Sequence, residues 1–423
     1  MGRVYIIGAG LAGLSAAVEL AAGGREVMVY EAADQAGGRC RSYDDAKLGL
    51  RIDNGNHLLL SANQAALSYL ERIGARDSLV GPARARFAFF DLAGGRRWEL
   101  SPGRGPVPLW LFDARRRVPE TRLADYLADG WRLATAGPDA KVSECLRGDG
   151  PLWERFWRPL VVAALNTVPE EASAALLWRV VRETFLRGEA ACRPLMAREC
   201  LAASLVEPAI AFITAHGGRL ALNRRVRDLT FAEGRLVAIA LAGETIELRQ
   251  GDEAILSVPP PVAAQLLPGL DPPDQTSAIV NGHFLLDEES RQVHAMLTDL
   301  PILGLVGGTA DWIFLRERLA SVTVSAADTL AARDNEDLAR TLWSDVAAAL
   351  ELPPGPLPPH RIIKERRATF TQSPAQLRKR PGPVTRYANL FLAGDWTDTG
   401  YPATIESAIR SGHAASRRCR VAI

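Results

Sequence analysis

The stretch VYIIGAGLAGLSAAVELAAGG, Val4 to Gly24, decides how the chain is to be read. Four apolar residues, Val4 to Ile7, fit a short buried strand. Glycines follow at Gly8, Gly10 and Gly13, and the run from Leu11 to Ala22 has the length and composition of a helix. Each glycine has its own task in a strand–turn–helix that holds a pyrophosphate. Gly8 permits the turn, Gly10 lets the backbone approach the ligand, and Gly13 lets helix and strand pack closely. The first helical N–H groups, at Leu11 and Ala12, then point with the positive end of the helix dipole at the phosphates.

The residues that follow extend the pattern. EVMVYEAA supplies a second strand, Val27 to Tyr30, ending in Glu31 and Ala32. A carboxylate at Glu31 accepts hydrogen bonds from ribose hydroxyls and repels a 2′-phosphate. EAADQAGGRCRS adds a second glycine pair, Gly37 and Gly38, followed by Arg39 and Arg41. A guanidinium beside a pyrophosphate forms bidentate bonds that a glycine turn alone cannot supply.

Bulk composition narrows the class. With 423 residues, 48% of them hydrophobic and 23% charged, the chain is long enough for two or more lobes around sizeable cores. A formal net charge of +1 gives no field directed at nucleic acid. Five scattered cysteines without a CxxC pair fit reduced thiols in a cytoplasmic protein, and six scattered histidines offer no metal spacing. No signal peptide is expected, because the first strand begins near Arg3, and no apolar run reaches the ~20 residues of a spanning helix. PVPLWLFDARRRVPETRLADYLADGWRL, Pro106 to Leu133, mixes apolar residues with arginines, six of them when counted from Arg104. It reads either as a charged lid or as an interfacial segment at the inner face of the cytoplasmic membrane.

Three further stretches carry the organisation. From Val206 a helix leads through Gly217 and Gly218 into strands at Arg219–Leu222, Val226–Phe231 and Leu236–Leu241. DEAILSVPP, Asp252 to Pro260, gives another short buried strand. NLFLAGDWTDTGYPATIESAIRSG, Asn389 to Gly412, is a second strand–turn–helix, with its helix expected from about Ala403. Between the ends of the chain, Asp53, Asn54, Gly55, Asn56 and His57 form a polar turn before a helix. PLWERFWRPLVVAALNTVPEEASA, Pro151 to Ala174, reads as a core helix or as the wall of a hydrocarbon tunnel.

Glu31, Gly37, Gly38, Arg39 and Ser42 match the E-x(n)-G-G-R-x-x-S pattern, and here the chain resembles the FAD-dependent amine oxidase and phytoene desaturase superfamily. The resemblance implies an α/β fold. It would pair a Rossmann-type FAD-binding domain of the glutathione-reductase-like kind (1–80, 200–270 and 385–423) with an interleaved α+β substrate-binding domain (81–199 and 271–384). It implies that Asp395, after Gly394, binds the ribityl–pyrophosphate region of FAD. Thr404 and Ile405 would open a helix aimed at the flavin's pyrimidine edge, and Val226 would meet the adenine through its main chain. Asn54, Gly55 and Asn56 would run beside the isoalloxazine, with His57 facing the substrate.

DNGNHLLL, FWRPLVVAALNTVPEEAS, KERRATFTQSP and GDWTDTGYPATIESAIRSG together resemble the bacterial squalene-associated FAD-dependent enzymes, the hydroxysqualene dehydroxylases of hopanoid biosynthesis. That resemblance implies a long-chain isoprenoid substrate, hydroxysqualene, and an electron donor that is either a reduced nicotinamide or a redox protein. Candidates for the acid are His57, Asp53, Glu365 and Tyr401, with Glu406 serving the start of the flavin helix. An isoprenoid desaturase would use the same fold with hydride flowing the other way. An amine oxidase would want an aromatic cage, for which Tyr401 is a candidate member, and often a lysine; Lys364 and Lys379 are the only late lysines, and neither sits in an obvious cage pattern. A lipid carrier holding FAD only structurally is disfavoured by so complete a set of flavin motifs.

Overall fold

Apolar strands that are buried on both faces form the centre of the computed structural model, which describes residues 2–105, 108–287, 301–352 and 355–420. Four of them, with the partly exposed Arg219–Ala221 at one edge, make a parallel sheet in the order Arg219–Ala221, Val27–Tyr30, Val4–Ile7, Glu253–Leu256, Leu390–Leu392. Val4–Ile7 occupies the middle, with Ile6 level with Val29 on one side and Ile255 on the other. The chain therefore builds outward in both directions from its first strand, and the ligand crevice of such a sheet lies at the carboxyl ends of the strands where the order reverses. The helix Leu11–Ala22 and the last helix, Ile405–Arg420, pack together against this sheet, with Leu14, Val18 and Ile409 inaccessible to solvent.

The expected bounds shift slightly. The last helix opens at Ile405 rather than Ala403, and the Ala403 N–H, just before it, donates to Gln372 Oε1 at 2.9 Å. The strand at Arg219 ends at Ala221, one residue early, as the chain turns so that the N–H of Asn223 donates to Ala33 O. The strand from Val226 runs on to Ala232 and pairs antiparallel with Arg235–Leu241.

A second sheet of seven strands runs His360–Phe370, Thr276–Leu285, Leu319–Val324, Trp312–Arg316, Ile302–Val306, Phe87–Asp91, Arg96–Leu100. It is antiparallel except where Ile302–Val306 meets Phe87–Asp91. One face buries Val280, Phe284 and Val322 against Leu338, Leu342 and Val346 of the helix Asn335–Ala349. Phe89, Trp98 and Trp312 join the aromatic cluster of 151–174 on another surface of that sheet. Within 151–174, a π-helical turn at Trp153–Trp157 leads into a helix at Arg158–Leu165, and Trp153, Phe156 and Trp157 are buried. Phe156 lies 4.8 Å from the Trp157 ring and 5.3 Å from Phe185, so these aromatics are core. The first two residues of the segment 106–133 lie outside the described residues. No helix among the described residues is long and apolar enough to cross a membrane.

Candidate functional site

The first glycine turn has the shape its spacing requires. Gly8 has φ +104°, and a Cβ there would meet Ser257 O at 2.6 Å. A Cβ on Gly13 would lie 2.0 Å from Gly8 O, so helix and strand touch there. Gly10 differs: among the described residues, a Cβ at that position meets nothing within 4 Å. The closeness at Gly8 and Gly13 is internal, whereas the space beside Gly10 is open to a ligand. The helix that starts at Leu11 has neither a side-chain cap nor an acidic residue in its first turn, which leaves its N–H groups and dipole available to an anion. Glu31 closes the turn by accepting from Ala9 N at 2.8 Å and Ala33 N at 2.9 Å. Ala32 is exposed beside it. Arg224 N donates to Glu31 O at 2.7 Å, which brings the buried Val226 strand to the same edge.

The second glycine pair folds back onto the first turn. Gly37 N donates to Ala9 O at 2.8 Å, and Gly37 and Gly38 both take positive φ, +104° and +56°. Arg39 then reaches across the molecule, donating to Asp395 Oδ1 at 2.7 Å and to Ala368 O. This ion pair, between residues 356 apart, ties the second glycine pair to the C-terminal turn. Gly394 leaves no room for a side chain, because a Cβ there would lie 2.3 Å from the Trp396 indole nitrogen. Thr404 Oγ1 accepts from Ser407 N at 3.3 Å, beside the first helical residue, Ile405.

The polar turn Asp53–His57 sits between this cradle and the second sheet. Asn54 Nδ2 donates to Glu365 Oε2 at 3.3 Å. Asn56 Nδ2 donates to Thr323 Oγ1 at 3.1 Å, while its Oδ1 is buried without a hydrogen-bond partner among the described residues. A Cβ on Gly55 would stand 3.1 Å from Asn281 Nδ2, so the loop presses against that strand. His57 is half-buried. Burial and the Arg39 guanidinium hold its imidazole down at about 4, with Asp53 pulling weakly the other way. The ring makes no hydrogen bond among the described residues and is neutral at pH 7.

The remaining candidates divide. Asp53 is fully buried, accepting from Arg316 Nη1 at 2.5 Å, Ser42 Oγ at 2.6 Å and Leu201 N at 2.8 Å. Its carboxylate anchors the loop from behind. Glu365 is half-buried in the strand His360–Phe370 and joins the loop through Asn54. Tyr401 stands on the C-terminal turn, with the Arg410 and Arg179 guanidinium groups 4.1 Å and 5.2 Å from its ring centre. Glu406 turns away from the cradle and caps the helix Gln64–Arg72 by accepting from Ala65 N and Ala66 N at 3.1 Å and 2.9 Å.

Several positioning residues have no local sequence signal. Arg380, buried, donates to the carbonyls of Thr397 at 3.0 Å, Tyr401 at 2.9 Å and Asp395 at 3.2 Å, and so sets the path of the C-terminal turn. Asn166 ends the helix Arg158–Leu165 at φ +45°, a conformation Asn tolerates, and donates to Thr369 Oγ1 at 3.0 Å. Asp311 carries a carboxyl that burial pushes up to about 7, although Ser325 N donates to it at 2.7 Å. Its backbone N–H donates to Thr323 O, one strand away from Asn56.

The open space beside Gly10 and the uncapped helix start can take an anionic ligand, and the polar turn Asp53–His57 lies between that cradle and the second sheet. Comparison with known proteins supports a flavin. Residues 11–420 match the family model described as flavin containing amine oxidoreductase. The chain is similar to a hydroxysqualene dehydroxylase of Rhodopseudomonas palustris, 48% identical over 416 residues that cover 98% of this chain and 97% of that one. It is 47% identical to another hydroxysqualene dehydroxylase, from Sinorhizobium fredii, over 98% of this chain and 97% of that one. Among solved structures, cyclohexylamine oxidase from Brevibacterium oxydans shares the fold, with a TM-score of 0.72 and 15% identity over 99% of both chains.

Proposed function

The chain belongs to the flavin containing amine oxidoreductase family, and from that premise we propose that it binds FAD and reductively removes the hydroxyl of hydroxysqualene to give squalene. The Arg39–Asp395 bond carries the cofactor reading, because it makes one cradle of two turns from opposite ends of the chain. The open space beside Gly10 fits a pyrophosphate, and Asn56 Oδ1 is an acceptor left for a bound group. The substrate reading rests on the relatives' names and on similarity running the length of both chains.

The residues divide the work along the ligand. Glu31 takes the ribose hydroxyls and the Val226 main chain meets the adenine. The N–H groups of Leu11 and Ala12, with Gly37, Gly38 and Arg39, take the pyrophosphate. Asp395 takes the ribityl end, and Asn54, Gly55 and Asn56 lie along the ring system. The helix beginning after Thr404, at Ile405, favours negative charge on the ring's pyrimidine edge. These residues would hold FAD, whose reduced form would bring hydride-donating chemistry to the site. The lobes are those outlined by the sequence, 1–80, 200–270 and 385–423 for the cofactor and the rest for the isoprenoid.

Loss of the hydroxyl requires a proton, so that it departs as water and leaves a delocalised cation. We assign His57 to the position facing that hydroxyl, with Glu365 and Asn54 fixing the loop, Asp53 anchoring it, and Tyr401 lining the opposite wall. Only a small fraction of His57 carries a second proton at neutral pH, so turnover limited by this group climbs as pH falls towards about 4. The guanidinium groups over Tyr401 argue against an amine oxidase, because the ring a substrate ammonium would approach already meets two cations.

The test is chemical. Reduced holoprotein is mixed with hydroxysqualene in the absence of oxygen, and the extract is analysed by gas chromatography–mass spectrometry. Squalene is the expected product. No squalene, together with new double bonds formed by the oxidised protein in a saturated isoprenoid, would establish a desaturase instead.

A further inference from the structure

Seven large apolar side chains lie exposed among the described residues, and four of them fall between positions 109 and 131. Leu109 and Phe112 are 66% and 68% exposed, and Leu127 and Trp131 are 58% and 72% exposed. They are not the loose end of a floppy loop. Trp110 and Leu111 are buried beneath the short helical turn Leu109–Phe112, and the Trp110 ring meets Tyr126 edge-on at 6.4 Å. The Tyr126 hydroxyl accepts from Val118 N at 3.1 Å, which ties the intervening chain to the helix Leu123–Ala134. Leu127 and Trp131, four residues apart, share one side of that helix, while Tyr126 and Leu133 are buried on another. Leu109 and Phe112, three apart on a tight turn, likewise share a side.

Charge accompanies the apolar surface. From Arg104 to Arg132 there are six arginines against four acids. The acids are engaged: Glu120 with Arg96 and Arg155, Asp125 with its own helix start, Asp129 with the Trp157 indole and Arg132, and Asp113 3.6 Å from Arg115. Arg115, and Arg104 with its Nε 3.9 Å from Glu189, nevertheless hold their side chains 94% and 76% exposed. Exposed rings and leucines beside outward-held guanidinium groups are the composition of a surface that lies in a bilayer interface, apolar groups below the headgroups and cations among them.

We propose that the pad formed by Leu109, Phe112, Leu127 and Trp131, with Arg104 and Arg115, docks this protein on the face of a bilayer containing anionic lipid. Its purpose rests on the isoprenoid reading above, since a substrate of that kind resides in the bilayer and not in water. Its geometry does not.

The experiment is flotation of the holoprotein with vesicles of phosphatidylcholine alone or mixed with phosphatidylglycerol. The protein should rise with the mixed vesicles and much less with the neutral ones. Phe112→Ser combined with Trp131→Ser should weaken partitioning by about tenfold or more, and Arg115→Ala by about fivefold on the mixed vesicles only. Unchanged flavin absorbance and unchanged turnover of detergent-solubilised substrate would show that these variants remain folded. A wild-type protein left at the bottom with both vesicle types overturns the assignment and leaves the pad to a protein partner. A double variant that floats as well as wild type overturns it too, as does equal flotation on neutral and anionic vesicles for the role of the arginines. Flotation involves no turnover, so a protein that floats but leaves hydroxysqualene unchanged refutes the reaction alone. One that converts the solubilised substrate but never floats refutes the docking alone.

Discussion

The cradle around Gly10 and the wall facing it are made in different ways. The cradle uses main-chain N–H groups, six glycines and turns whose residues are close in sequence, tied across the molecule by the bond from Arg39 to Asp395. The wall uses side chains gathered from strands far apart: Asn56 on Thr323, Asn54 on Glu365, Asn166 on Thr369 and Asp53 on Arg316. A backbone site depends on spacing and on the absence of Cβ atoms, so it tolerates few substitutions but leaves a mark in the sequence. A side-chain wall leaves no such mark, and its parts can change singly.

If that contrast holds, disturbing the main-chain path of the cradle has the largest effect. Arg380→Met removes the donor shared by the carbonyls of Asp395, Thr397 and Tyr401 in a buried setting. It should cost about 4 kcal/mol in urea unfolding and abolish flavin retention. A stable, yellow Arg380→Met protein would show that the C-terminal turn holds itself.

The two glycines of the first turn separate folding from binding. Gly13→Ala puts a methyl 2.0 Å from Gly8 O and should destabilise even the flavin-free protein by about 3 kcal/mol. Gly10→Ala meets no atom of the described residues, so the flavin-free protein should melt within about 0.5 kcal/mol of wild type while its flavin affinity falls at least about tenfold. Equal behaviour of the two variants would dissolve the distinction between internal packing and ligand space.

On the wall the effects are smaller and confined to chemistry. His57→Ala should keep its flavin and lose about tenfold or more in turnover. The same variant should flatten the rise in rate expected as pH falls from 7 towards about 4. Retention of both rate and pH profile would remove His57 from proton transfer and turn attention to Asp311. At Asp311 the folded carboxyl titrates at about 7, above its ordinary 3.8, so the folded state binds the proton more tightly than the unfolded one between those values. Stability contributed by this group is therefore present at low pH and declines as pH rises to about 7. Asp311→Asn should raise Tm by about 2 °C or more at pH 8 and by less at pH 5. A gain equal at both pH values would mean that the carboxyl is not held protonated.

Much of the cradle was legible from one sequence. Val4–Ile7, Leu11–Ala22 and Val27–Tyr30 keep their expected bounds, because apolar runs and glycine punctuation act over a few residues. The C-terminal strand and helix were visible for the same reason, though nothing local could show that Gln372 accepts from the Ala403 N–H. The wall was much less legible. Arg380 sits in an unremarkable run of basic residues, and Asp311 has no motif around it. Glu406 lies at the helix start as expected, yet its carboxylate serves a different helix at Ala65 and Ala66, a partnership decided only by how those helices pack. Asp53 shows the same limit, since its commitment to Arg316 links residues 263 apart in the chain.

The most direct test of the whole account is an anaerobic titration of the reduced holoprotein with hydroxysqualene, following flavin absorbance and squalene together. Each equivalent of substrate should reoxidise one equivalent of flavin and yield one of squalene. A flavin that stays reduced while hydroxysqualene is recovered intact would contradict it.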